Sequence, residues 1–329
     1  MPIFDLHAHW FPQPWIDLLE REAHMNGARF TRNSKGHPTI DIDGVPLKSV
    51  FRPDMVEPGI MLANMNAAKV DVRAMSLTNP MVYWAPPAFG LKLSQAYNDA
   101  CAALHAGHPD RFIGTIMLPL QAPDLAVQEL ERAAKLPGMR AVYMAMHVGG
   151  KNVDDHALWP VYARCEALGL PIMMHPVNPL GIERMRQFHL RNLCGNPYEA
   201  GIAAASLIFG GVLDAFPRLD FMLPHAGGTF PWLIGRFDRG VAVRKELSHM
   251  KQPASAYLRR FYYDTVSHEP RLIRFLIDLV GADRVVVGSD YNFDMGYDRP
   301  VDFVDRVPGL SERERKLILS DNAARLLRL

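Results

Sequence analysis

The chain has only three cysteines in 329 residues, Cys101, Cys165 and Cys194, and they lie far apart. An odd, scattered set excludes a disulfide framework and a CxxC metal knuckle, and points to a reducing, cytoplasmic compartment. Cys101 and Cys165 read as small core residues on helices, the common place for a free thiol. An excess of one charge is also missing. With 36 Lys+Arg against 35 Asp+Glu, a formal net charge of +1, no overall field draws nucleic acid or an anionic membrane, and neither is expected as a partner. No apolar run approaches the roughly 18 residues of a membrane span, and Met1-Pro2-Ile3-Phe4-Asp5 carries no basic leader before an apolar stretch. There is no low-complexity linker and no composition break. What is present, 49% hydrophobic and 22% charged, is too apolar for disorder and long enough to bury a large core.

Short apolar runs alternate with helix-like segments, and eight candidate strands emerge: residues 2–6, 70–77, 112–118, 140–144, 171–174, 219–223, 261–264 and 285–288. Helical patterns follow several of them, at 124–134, 158–167, 199–209 and 270–280. Repeated strand then helix implies parallel pairing. The expectation is an α/β fold, a (β/α)8 TIM barrel forming one domain over residues 1–329, with an open doubly wound sheet as the alternative. The excess length lies mainly between the first two strands, about residues 10–69. There Lys35-Gly36-His37-Pro38 and Asp43-Gly44-Val45-Pro46 read as a small hairpin insertion, expected to cover the barrel mouth.

Ionisable groups terminate several of these runs. Asp5-Leu6-His7-Ala8-His9 closes the first, and residues i and i+2 of an extended segment share a face, so both imidazoles converge. His175 ends Ile172-Met173-Met174, His225 ends Phe221-Met222-Leu223-Pro224, and Asp290 ends the run from Val285 to Ser289. In a barrel the carboxyl ends of the strands meet at the functional face. His7, His9, His175 and Asp290 then form a set of three nitrogens and one oxygen suited to a divalent transition metal, with zinc the default and manganese or iron the alternatives.

Four strings, DLHAHWFP from Asp5, MMHP from Met173, LPHAGGTFPWLIGR from Leu223 and GSDYNF from Gly288, together resemble the amidohydrolase superfamily and, within it, the aminocarboxymuconate semialdehyde decarboxylase-like branch. The resemblance runs nearly end to end, through FRP at Phe51, LPLQAPDLAVQELERA from Leu118 and GNPYEAGIAAASLIFGGVLDAFPRL from Gly195. It implies one divalent ion on His7, His9, His175 and Asp290, a water or substrate oxygen completing the shell, and no organic cofactor. It further implies that His225 is the catalytic base and that Asp290 relays a proton. The segment Arg140-Ala141-Val142-Tyr143-Met144 offers no lysine to bridge a second ion, in keeping with a one-metal branch. Its substrates are unsaturated or aromatic carboxylic acids that lose CO2 without oxidation. Arginine is the planar partner for such an anion. Arg52 looks like the substrate-carboxylate arginine, and Arg236 like one supplied across the interface of a homodimer or homotetramer. Arg244 is a weaker match.

The expected function is a metal-dependent non-oxidative decarboxylase of an aromatic or ring-cleavage (muconate semialdehyde-type) acid. A hydrolase or hydratase on the same scaffold is the alternative, and a metal- or ligand-binding sensor barrel is a third reading. Pro176-Val177-Asn178-Pro179-Leu180 and Tyr291-Asn292-Phe293-Asp294-Met295 depart from the aminocarboxymuconate enzymes, which leaves the exact substrate open. Other residues have structural readings beside functional ones. Glu199 is expected to cap its helix, and His147 either lines the pocket or is structural. Gly227-Gly228 let backbone approach the site. Trp10, Phe11 and Trp84 form either apolar walls or ordinary core, and Asp294 is expected to face outward.

Overall fold

The computed structural model describes residues 1–45 and 48–329; Pro46, the last residue of the expected 43–46 turn, lies outside them. The principal sheet has the strand order β1 (Phe4–His9), β5 (Val72–Ser76), β6 (Phe112–Met117), β7 (Met139–Ala145), β10 (Ile172–His175), β11 (Phe221–Leu223) and β12 (Phe261–Tyr263). The intervening numbers belong to β2 (Ala28–Arg32), β3 (Pro38–Ile42) and β4 (Ser49–Val50), which form a separate sheet, and to the short pair β8 (His147–Val148) and β9 (Lys151–Asn152).

One compact unit comprises Met1–Tyr143 with Ser289–Arg299. Its strands β1, β5, β6 and β7 pair in parallel. All six residues of β1 are buried, the signature of a parallel strand covered on both faces. The insertion after β1 is larger than the expected hairpin. It carries the helix Gln13–Glu22 and a three-stranded antiparallel sheet, in which Phe30 pairs Ile40 and Ile40 pairs Ser49. The 35–38 turn between β2 and β3 is where the sequence pattern put it: Gly36 sits at φ 78° and its N–H donates to the Asn33 carbonyl.

The other unit comprises Met144–Gly288 with Pro300–Leu329. Strands β10, β11 and β12 pair in parallel, and Val285 bridges Tyr263. The helix Pro270–Val280 shows why these segments fold locally. Glu269 accepts from the Arg271 N–H as N-cap, proline fills the first turn, and Ile273, Leu276, Ile277 and Val280 bury one stripe before Gly281 ends it.

The expected eighth strand is only partly a strand. Residues 285–288 join no ladder; Val285 bridges Tyr263, and Tyr291 bridges Ala8 while its carbonyl accepts the His9 N–H at 2.7 Å. Seven ladder strands plus this bridged segment make the (β/α)8 class, with its insertion after the first strand. Cys101 and Cys165 are buried on helices, where burial pushes each thiol up to about 12. No helix among the described residues is long and apolar enough to cross a membrane.

Candidate metal centre

His7 and His9 lie in the last half of β1, buried, with ring centroids 5.1 Å apart. Asp290 Oδ1 is 3.1 Å from His9 Nε2 and 3.4 Å from His7 Nε2. One ligand atom each from His7, His175, His225 and Asp290 lies within 4.8 Å of the others. His9 meets this cluster through Asp290, and the His175 and His225 rings are 5.7 Å apart.

The hydrogen bonds around the rings fix which nitrogens point inward. Ser76 donates its hydroxyl hydrogen to the Ala8 carbonyl at 2.7 Å, so toward His9 Nδ1, 3.0 Å away, it acts as acceptor. His9 therefore donates Nδ1–H to Ser76 and faces the Asp290 carboxylate with Nε2, 3.1 Å away. His175 likewise donates Nδ1–H to the Pro176 carbonyl at 2.9 Å, leaving Nε2 as its acceptor nitrogen. Imidazole nitrogens and a carboxylate converging in a buried place favour a positive charge among them. The donor set of imidazole nitrogens and one carboxylate oxygen fits a divalent transition metal.

A buried network holds the two ends of this set. Asp5, fully buried, accepts from Arg73 Nε at 2.9 Å, from the Ser289 hydroxyl at 2.6 Å, from the Ser289 N–H at 3.0 Å and from the His7 N–H at 3.2 Å. Asp5 precedes His7 by two residues, and Ser289 immediately precedes Asp290. The Arg73 guanidinium stacks 4.3 Å from the Tyr291 ring centroid and donates to Asn64 Oδ1 at 3.0 Å. Burial pushes its pKa down from the usual arginine range, and the Asp5 charge opposes the fall.

His225 is held differently. His225, Ala226, Gly227 and Gly228 all have positive φ, a run that side chains resist. Asp264, directly after β12, anchors it by accepting the Ala226 N–H at 2.8 Å and the Val266 N–H at 3.0 Å. Gly228 is required twice over: its φ is 57°, and a Cβ there would stand 2.1 Å from the Pro197 carbonyl oxygen.

The remaining candidates separate by their surroundings. Arg52 is half-exposed, paired with Asp54 at 2.8 Å, and donates to the Asn292 carbonyl. Arg236 and Arg244 are exposed at the surface of the helix Phe230–Val243 and at its C-cap. Glu199 does not cap its helix. Its carboxylate, buried, instead accepts the Leu180 N–H at 2.9 Å, because the helix begins earlier than expected, at Asn196. His147 is structural: Nε2 donates to the Val177 carbonyl at 2.7 Å, and Nδ1 accepts the Gly150 N–H at 3.3 Å. Trp10 and Phe11 are core, Trp10 bonded to the Val56 carbonyl and Phe11 packed on Phe51 at 4.8 Å. Trp84 is half-buried against Phe89, and Asp294 is exposed.

The amidohydrolase family model matches residues 4–329. The chain belongs to the amidohydrolase family. This amidohydrolase is 32% identical over 328 residues to the 2-amino-3-carboxymuconate-6-semialdehyde decarboxylase of Dictyostelium discoideum, covering 99% of this chain and 91% of that one. It is also 32% identical over 254 residues to the gamma-resorcylate decarboxylase of Polaromonas sp., covering 70% and 75% of the two chains. Among solved structures, the IDCase of Metarhizium anisopliae superposes with a TM-score of 0.88 at 23% identity, covering 99% of this chain and 97% of that one. A dihydroxybenzoic acid decarboxylase from Polaromonas sp. JS666, with bound manganese and 2-nitroresorcinol, does so with a TM-score of 0.80 at 24% identity, covering 100% and 97%.

Sequence reasoning missed Asp5, Arg73, Ser76, Asp264 and Ser289 in this amidohydrolase. A signal for two of them was present: Asp5 shares the face of His7 by alternation, and Arg73 is a full charge inside an apolar strand, which implies a buried partner.

Proposed function

We propose that this chain is a metal-dependent non-oxidative decarboxylase, a carbon–carbon lyase, acting on an aromatic or ring-cleavage carboxylic acid. The observation that carries the reading is the convergence of His7, His175, His225 and Asp290, with His9 joined to it through Asp290, together with relatives that are themselves decarboxylases. One domain over residues 1–329 is supported by a family model of nearly that span.

In the reaction the bond to the carboxyl carbon breaks, its electron pair stays on the substrate carbon, that carbon takes a proton, and CO2 leaves. No oxidant or reductant takes part. His7, His9, His175 and Asp290 would hold one divalent ion, zinc by default or manganese as in the Polaromonas structure, supplying Lewis-acid charge to the site. His225 serves as base, accepting a proton at a ring nitrogen from a hydroxyl or water presented beside it. Asp290, within 3.4 Å of two imidazoles, relays protons. Arg52 orients the substrate carboxylate. The burial of His7, His9 and His175 limits competition from bulk water.

The test is CO2 release from 2,6-dihydroxybenzoate, 5-carboxyvanillate and muconate-type acids by metal-replete protein. Release is expected to fall to background after chelation and to return with zinc or manganese. Consumption of an acid with water added and no CO2 would replace this reading with a hydratase or hydrolase.

The second part of the proposal is a homodimer or homotetramer in which Arg236 reaches a partner's site. It is supported by Trp232, 62% exposed one turn before Arg236 on the same helix. Sedimentation is expected to show an oligomer; a monomer with full activity would remove Arg236 from that role.

A further inference from the structure

Arg52 is already engaged along one edge. Asp54 accepts from its Nε at 3.0 Å and from its Nη2 at 2.8 Å, and Nη2 also donates to the Asn292 carbonyl. Five N–H groups are available on a guanidinium, so the two on Nη1 are left for a further acceptor. Asp54 is itself fixed. Its carbonyl accepts from the Tyr291 hydroxyl and from Asn292 Nδ2, both at 3.0 Å, and the same Nδ2 donates to the His9 carbonyl at 3.1 Å. Tyr291 and Asn292 directly follow Asp290. The Arg52–Asp54 pair is thus tied by hydrogen bonds to the segment that carries the metal-site carboxylate, and with side chains 39% and 34% exposed it stays within reach of a small anion.

We propose that Asp54 is a positioning residue for the decarboxylation, one that holds Arg52 by its Nε edge and cancels its charge so that the guanidinium steers the substrate carboxylate without over-stabilising it. The inference rests on the reading that Arg52 takes that carboxylate. Its chemistry follows from the reaction. The carboxylate carries a full negative charge in the bound substrate and none once it is CO2, so an uncompensated positive charge beside it stabilises the ground state more than the transition state. Binding of that kind lowers KM and kcat together. A neutral ion pair offering Nη1–H groups keeps the orientation, which is worth having, and discards most of the penalty.

Asp54→Asn keeps the size of the side chain and one acceptor while removing the charge. Metal-replete wild type, Asp54→Asn, Arg52→Gln and the double variant are titrated by calorimetry with 2,6-dihydroxybenzoate and with resorcinol, the same ring without the carboxylate. Both kcat and KM are measured for CO2 release. Asp54→Asn is expected to bind the acid roughly tenfold tighter, the scale of one nearby charge removed at a half-exposed site, and to leave resorcinol binding unchanged. Its KM and kcat are both expected to fall by about that factor. Arg52→Gln is expected to abolish the preference for the acid over resorcinol, with or without Asp54. A fall in kcat with KM unchanged or raised would mark Asp54 as merely structural and overturn the proposal. An Arg52→Gln protein that still prefers the acid over resorcinol would instead overturn the reading beneath it, by removing Arg52 from the carboxylate.

Discussion

Replacing His225 with asparagine is expected to lower CO2 release by roughly 10²–10⁴-fold, the range lost with a general acid–base group, while the protein keeps one equivalent of metal. The two parts of that result separate two roles. His225 lies within the same 4.8 Å cluster as His7, His175 and Asp290, so distance alone does not distinguish a base from a ligand. Its support differs. His9 and His175 each spend Nδ1 on a fixed acceptor and turn Nε2 inward, the oriented arrangement of a ligand. His225 instead opens a run of four residues with positive φ, anchored through the Ala226 N–H to Asp264, and the proposed reading makes it the base. Metal analysis alongside the assay gives the decision. Loss of metal in His225→Asn would make His225 a ligand, whereas Asp290→Asn and His175→Asn are expected to lose the metal outright.

Arg73→Leu is expected to destabilise the protein by about 3–5 kcal/mol, the cost of stranding one member of a buried ion pair. The melting temperature should fall by roughly 6–10 °C at about 2 °C per kcal/mol for a chain of this length. Both side chains of the pair are 0% exposed. Without Arg73 the Asp5 carboxylate keeps three weaker donors, the Ser289 hydroxyl and the Ser289 and His7 N–H groups, and no compensating charge. Those donors sit beside Asp290 and on His7, so metal affinity is expected to drop as well, by roughly 10–100-fold as for other supports of a ligand shell. Calorimetric melting with and without metal reads both effects. The Asp5→Asn/Arg73→Leu double variant should recover part of the stability, because no charge is then left buried alone. A single variant that melts within about 1 °C of wild type would show that water reaches Asp5 and that the pair does not hold β1 to β5.

The contrast between these two sites shows what the amino-acid pattern discloses. His7, His175, His225 and Asp290 were readable because each ends an apolar run, and a parallel sheet brings such ends together whatever the details of pairing. The short boundaries shifted by a few residues, as β1 does by running on through His9. Residues 285–288 looked like a strand from their valines, yet their backbone makes bridges without a ladder, since Ser289 and Asp290 turn early to donate to the His7 carbonyl. The insertion reads as a hairpin because its two turns at 35–38 and 43–46 each pair a glycine with a proline; β4 is two residues long and leaves no periodic trace. Glu199 stands where the helix dipole favours a carboxylate, but its bond to Leu180 depends on a loop no local rule predicts. Asp5 with Arg73, 68 positions apart, and Asp5 with Ser289, 284 apart, are pairings that only the closed chain reveals.

The residues that converge on the ion stand on strand ends stitched by buried bonds, whereas Arg52 and Asp54 stand on the insertion, which meets the segment after Asp290 through a handful of contacts to Tyr291 and Asn292. The half-exposed pair can therefore be altered without touching the buried bonds. If Arg52 takes the substrate carboxylate as proposed, re-charging Arg52 and Asp54 is expected to change which acid is admitted, and a laboratory seeking a decarboxylase for a new acid should vary those two positions first, leaving in place the residues of the same stretch that bond to the core, such as Asn64 with its bond from Arg73.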